Sequence, residues 1–159
     1  MSPLTDNTSP VRLCESCSRA GACRLGLIEE ALIEPGVSLT KLVCGADHEG
    51  GPGVAHGGWT AAVFDEGLGH LSLLSGQMAV TGELSVRFLR PVPIERPLVL
   101  RAWCERVENG RRRHRGELRL ASTGTLLAAA EGVFVERDPS HFDRFRDWIA
   151  SQEAGGEPQ

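Results

Sequence analysis

Apolar positions crowd every side of a helical wheel between Trp59 and Leu74. Ala61, Phe64, Leu68 and Leu71 recur at i, i+3, i+7 and i+10, one face of a helix, while Trp59, Ala62 and Val63 make the opposite side apolar as well. A helix apolar nearly all round is a buried one. The stretch therefore predicts a central helix that stops at Ser75-Gly76. Beyond it the period shortens towards two. Residues 79–89 alternate and end at Arg90-Pro91; residues 97–107, 111–122 and 126–136 follow, separated by Glu108-Asn109-Gly110 and Thr123-Gly124. Upstream, residues 26–33 and 37–43 flank the turn signal Glu34-Pro35-Gly36 and read as a hairpin, although Glu29 to Leu32 would also suit a helical turn. Residues 46–53, four of the eight being Gly or Pro, read as a loop. Near the end, Phe142, Phe145 and Ile149 recur at i, i+3 and i+7 beside Trp148, predicting a short amphipathic helix docked on the body.

A hairpin, a buried helix and a four-strand meander make an α+β architecture in which a curved antiparallel sheet wraps one long helix. The expected organisation is a polar, proline-containing N-terminal arm over residues 1–12, one body over 13–137, and a short helix and tail over 138–159. Composition narrows the function. With 17 Lys plus Arg against 21 acids, the formal charge is -4, which gives no general attraction to nucleic acid or to an anionic membrane. No apolar run reaches the roughly 20 residues of a membrane span, and Met1 to Asp6 lack the basic and apolar regions of a secretory signal, so the expected compartment is the cytoplasm. Five cysteines then read as thiols. Cys14-x-x-Cys17 with Cys23 raises zinc, but a fourth ligand lies no nearer than Cys44 or His48, and the expectation is no metal.

Asp65 is the conspicuous residue, because an acid in a buried helix costs several kcal/mol to ionise unless it is paired or hydrogen-bonded. Glu66, about 100° further round the helix, is the alternative working carboxylate. At the head of the helix stand His56, Gly57 and Gly58. Helix amino ends carry unpaired N–H groups and the positive end of the dipole, and glycines let a ligand approach them closely. The Gly57 and Gly58 amides are thus candidate donors to a carbonyl oxygen that gains charge. His70 reads as a packing or interface residue, and Gly67 and Gly69 as sites of close packing. The run Arg111-Arg112-Arg113-His114-Arg115 reads mainly as a solvated hairpin, with Arg87, Arg90, Arg111 and Arg113 as candidates to hold phosphate. No Gly-Lys-Ser/Thr follows the glycine-rich loop, which argues against nucleotide hydrolysis.

Taken in order, the hairpin, the Pro-Gly loop, His56-Gly57-Gly58, a helix carrying Asp65-Glu66 and a meander whose first strand ends Phe88-Leu89-Arg90-Pro91 resemble the hotdog-fold acyl-CoA thioesterases. More narrowly, the pattern resembles the PaaI-like branch of the 4-hydroxybenzoyl-CoA thioesterase superfamily. The resemblance implies hydrolysis of an acyl-CoA thioester without cofactor, in a homodimer or a dimer of dimers whose sites straddle subunits. It implies Asp65 as general base or nucleophile, His56 positioning the thioester, and Thr81 orienting water. The pattern departs at Gly50, near the position where some relatives carry an amide side chain. The alternative on the same fold is a non-catalytic module that binds acyl-CoA or an acyl-carrier protein.

Overall fold

The protein, seen in a computed structural model that describes residues 14–155, is a six-stranded antiparallel sheet curved around one helix. The expected arm over residues 1–12 lies outside the described residues. A short helix α1 (Glu15–Ala20) leads into the hairpin β1 (Leu27–Glu34) and β2 (Val37–Val43). After a single 3-10 turn come two very short strands, β3 (Glu49–Gly51) and β4 (Val54–Ala55), then the central helix α2 (Gly57–Leu74). The meander follows as β5 (Ala79–Phe88), β6 (Pro97–Glu108), β7 (Arg111–Leu120) and β8 (Leu126–Glu136), and helix α3 (His141–Ala154) ends the described chain.

Strand order in the sheet is β1-β2-β6-β7-β8-β5, so β1 and β5 are its two edges. Antiparallel register aligns Thr40 with Leu100 and Leu100 with Leu118, which puts alternate residues of three strands on one inner face. Asn109 and Gly110, at φ of 51° and 70°, make the tight β6–β7 turn that the Asn-Gly pair predicts. Against the inner face α2 buries Val63, Phe64, Leu68 and Leu71, each at 0% exposure. Burial of such a side chain contributes about 1.5–3 kcal/mol. Close approach is what the glycines permit: a Cβ at Gly67 would fall 2.9 Å from Leu100 Cδ2, and one at Gly116 2.6 Å from Leu68 Cδ1. Gly69 faces Phe134 at an ordinary contact distance of 3.5 Å.

Three features differ from the sequence expectation. The loop over residues 46–53 contains the 3-10 turn Ala46–His48 and most of the β3–β4 hairpin, whose hydrogen bonds no hydrophobic period announces. Helix α1 is likewise too short to show a period. The third difference concerns α3, which buries no residue and leaves Phe142, Phe145 and Trp148 at 46%, 52% and 55% exposure. Its apolar stripe is real, but it is not docked on this body.

Candidate functional site at the amino end and open flank of the central helix

The amino end of α2 is set by its cap. His56 turns the chain out of β4 in an extended conformation, its backbone N–H donates to the His48 carbonyl at 2.7 Å, and its ring Nδ1 accepts from the Gly58 amide at 2.9 Å. That bond places the neutral ring's proton on Nε2. It also separates the two expected donors. The Gly58 amide is committed to His56, whereas Gly57, the first helical residue, has no partner within the helix for its N–H. The departure at Gly50 has a steric cause as well: a Cβ there would lie 2.7 Å from His56 Cα, so no side chain fits.

Beside Gly57 runs an open groove of about 440 Å³, bordered by Thr60, Phe88, Leu89, Arg90 and Val92. The Leu89 and Arg90 amides both donate to the Leu127 carbonyl, at 3.0 and 2.9 Å, which ties the end of β5 to the start of β8 and holds Phe88 over the helix terminus. Arg90 reaches the Leu126 carbonyl through Nη1 at 3.0 Å. The other three candidate phosphate holders are elsewhere. Arg87 lies with Trp103 and Arg115 in a hollow of about 380 Å³ on the sheet face away from α2, and Arg111 and Arg113 border a third hollow with Arg106 and Glu108. Alternation along β7 sends Arg111, Arg113 and Arg115 outward, while Arg112 pairs with Glu136 at 2.8 Å.

Two turns along α2, half-buried Asp65 faces edge strand β5. The Thr81 hydroxyl donates to its Oδ1 at 2.6 Å. A register shift between Thr81 and Glu83 breaks the β5–β8 ladder at that point, and such a bulge re-aims the residue beside it. Asp65 and Thr81 are therefore brought together, whereas Gly57 is not close to them: eight residues of helix separate it from Asp65, a rise of about 12 Å.

Glu66 turns to the opposite flank. Its Oε2 meets Nε2 of His70 at 2.9 Å, and Nδ1 of that ring meets Oε1 of Glu30 on β1 at 3.0 Å, where the Thr40 hydroxyl also donates to Glu30 Oε2 at 3.3 Å. Glu30 is 1% exposed and His70 5%. Burial by itself pushes the His70 imidazole down, but the hydrogen bonds and charges of the two carboxylates outweigh it and raise it to about 9. The His70 hydrogen bond holds the Glu66 carboxyl below the usual range. The sequence reads His70 as a packing or interface residue; the structure gives it two carboxylate partners. The i, i+4 spacing of Glu66 and His70 carried a signal of the pair, while Glu30 comes from 40 residues away and only the fold delivers it.

Cys17 is buried and accepts the Arg24 amide at 3.5 Å, which lowers its thiol. All five cysteines are free thiols, and among the described residues no three His, Cys, Asp or Glu side chains are grouped closely enough to hold one metal ion. None of the described helices is long and apolar enough to cross a membrane.

Comparison with known proteins bears on the groove and the helix together. Residues 52–127, which run from the β3–β4 hairpin through α2 to the start of β8, match the family profile of the Thioesterase superfamily. The chain is 31% identical over 91 residues to acyl-coenzyme A thioesterase THEM4 of Bos taurus and 30% identical over 100 residues to acyl-coenzyme A thioesterase THEM5 of Homo sapiens. Those stretches cover 57% and 60% of this chain but 37% and 40% of the relatives, so the chain spans about two fifths of the length of the curated proteins it matches. Among solved structures, the E. coli PaaI protein from the phenylacetic acid degradation operon superposes with a TM-score of 0.66 at 18% identity, covering 78% of this chain and 86% of that one. This likeness carries the fold alone, a curved sheet around a central helix of the hotdog type. Sequence match and architecture agree: over residues 52–127 the chain is similar to the Thioesterase superfamily, and its fold is of the hotdog type.

Proposed function

We propose that the protein hydrolyses an acyl-CoA thioester to the free acid and coenzyme A. The observation that carries the proposal is Asp65: a carboxylate on the open flank of an otherwise apolar helix, with one oxygen held by the Thr81 hydroxyl at 2.6 Å. Its other oxygen is left to take a proton from water. In the reading we favour, that water attacks the thioester carbonyl, the carbonyl oxygen gains negative charge, and collapse of the tetrahedral intermediate expels the coenzyme A thiolate, which recovers a proton. The Gly57 amide, at the positive end of the helix dipole, suits the oxyanion. His56 keeps Gly58 occupied and the helix end in shape.

One chain cannot supply both parts, since Asp65 and Gly57 stand about 12 Å apart along one axis. A second copy, packed with its helix alongside, brings the Gly57 of one subunit to the Asp65 of the other and makes two equivalent sites. The outer edge of β5, next to Thr81 and unpaired among the described residues, is where sheets of two copies would join. A homodimer is then the smallest active unit, with a dimer of dimers above it. Arg90, beside the groove, is the best placed of the four arginines to meet a coenzyme A phosphate.

Thiol release from a panel of aromatic and aliphatic acyl-CoA esters, by wild type and Asp65→Asn in parallel, tests this. Turnover by wild type with a loss of at least about a hundredfold in the variant supports it. Binding of acyl-CoA without turnover by wild type would replace it with the non-catalytic binding module.

A further inference from the structure

The chain Glu66–His70–Glu30 lies on the far flank of α2 from Asp65 and has no part in the chemistry proposed for that residue. Its position is nevertheless informative. Helix α2 crosses the concave face of the sheet, and the carboxylate-bearing attachments of its side chains run to the two edge strands: Asp65 to Thr81 on β5, and His70 to Glu30 on β1. Between them the His114 ring on β7 meets the Leu68 carbonyl at 2.7 Å, and nearer the amino end the Trp59 indole donates to the Leu25 carbonyl at 3.0 Å. The first of these holds the helix backbone close to its axis, where it has little leverage against rotation, and the remaining contacts are mainly apolar. Side chains such as Leu68 and Phe64 resist separation of helix and sheet, but dispersion and the hydrophobic effect are non-directional and oppose rotation of a helix about its own axis only weakly. Directional bonds do oppose it. A rotation of about 20° on a radius of roughly 5–6 Å to the side-chain heads moves Asp65 by about 2 Å, enough to break a 2.6 Å hydrogen bond.

We infer that His70 is a positioning residue for the reaction at Asp65, holding the rotational setting of α2 through its bridge between Glu66 and Glu30. The inference rests on the thioesterase reading for its kinetic consequence, but not for its structural one. The geometry is specific. Both ring nitrogens are used, at 3.0 Å to Glu30 and 2.9 Å to Glu66, and Thr40 on β2 fixes the second oxygen of Glu30 at 3.3 Å. Both ring nitrogens can donate at once only as imidazolium. The ring therefore holds two carboxylates that would otherwise repel each other across a buried space. The charged and titratable groups facing this bridge are Glu30 from β1, Glu66 from α2 itself, and Arg24 and Cys17 from the segment before β1, which act on Glu66 and are acted on by it. No acid or base of β5 is among them. Deprotonation of His70 removes one of the two donors and lets the helix turn.

Two variants in the full chain test the inference: Glu30→Gln, which keeps the shape of the buried anchor, and Glu66→Gln, which alters the half-exposed end and endangers folding less. For each, thermal unfolding establishes that the protein is folded at the assay temperature. Steady-state kinetics across pH on the best ester, and the ¹³C titration of the Asp65 carboxyl, are then measured. The expected result is a fall in kcat of about tenfold or more with KM within about twofold, the pattern of a displaced group rather than a lost binding contact. The alkaline limb of the kcat profile moves to lower pH, and the Asp65 titration midpoint moves with it. Folded variants with wild-type kcat, the same pH profile and an unmoved Asp65 titration overturn the inference and leave the bridge a purely structural one. If wild type cleaves no ester, the thioesterase reading fails by itself. The Asp65 titration then still decides: movement in the variants sustains the positioning role, and no movement ends it.

Discussion

Asp65 and Glu66 are neighbours in sequence and live in opposite worlds. Asp65 faces the β5 edge, half-buried, with a single neutral partner in Thr81 and an open side. Glu66 faces the β1 edge, where His70 and the buried Glu30 close a chain of charges in which every ring nitrogen is used. The difference teaches what a carboxylate needs if it is to do chemistry. A carboxylate paired with a buried cation is stabilised as an anion and engaged in structure, whereas one held on a single oxygen by a neutral hydroxyl leaves its other oxygen reachable. A rotation of about 100° per residue is all that separates the two settings.

The comparison can be broken from either side. The largest effect is expected from His70→Leu, which leaves Glu30 buried without its cation: breaking such a pair costs about 3–5 kcal/mol, read as loss of stability in urea unfolding. Full stability after that change would show that the β1 flank is not held by charge. Next comes catalysis. Asp65→Asn should lower kcat by at least about a hundredfold and by more than Glu66→Gln, whose effect is one of displacement, and the reverse order in ester hydrolysis would exchange the roles of the two acids.

Acidity sharpens the contrast further. Because the folded imidazole of His70 is raised from 6.5 to about 9, its contribution to stability is complete below the unfolded value near 6.5 and is lost as pH rises through about 9. Glu66 is lowered, so its contribution is present above the ordinary carboxylate range and is lost in acid. Wild-type stability, measured by denaturant unfolding from pH 6 to 10, should fall on the alkaline side, and this fall should be absent in His70→Leu. A smaller effect belongs to the packing shared by both flanks: Gly116→Ala drives a methyl to 2.6 Å from Leu68 Cδ1 and should cost about 1–3 kcal/mol in the same unfolding assay. The smallest is Arg111→Ala, outward on the sheet and remote from both flanks, expected within about 0.5 kcal/mol of wild type and without effect on kcat.

Much of this was legible in one dimension because it depends on local chemistry. The all-round apolar pattern from Trp59 to Leu74 dictates a buried helix, Asn109-Gly110 dictates a tight hairpin, and an acid amid apolar neighbours marks Asp65 for scrutiny whatever the fold. Two glycines after His56 at a helix start likewise point to accessible amides from sequence alone. What tertiary structure decided was partnership. Which of Gly57 and Gly58 keeps a free amide follows from where the His56 ring lies, and the bulge at Gly82 that turns Thr81 to Asp65 exists only once β5 pairs with β8. The four arginines look alike in sequence, yet sheet alternation and strand order send them to three separate hollows. Glu30 could not be foreseen at all: hydrophobic period reports which face of an element is buried, but a buried acid is tolerated only by a cation that the chain brings from 40 residues away. Sequence determined the elements and the reactive groups; the closing of the sheet around α2 determined which of those groups are held and which are left open.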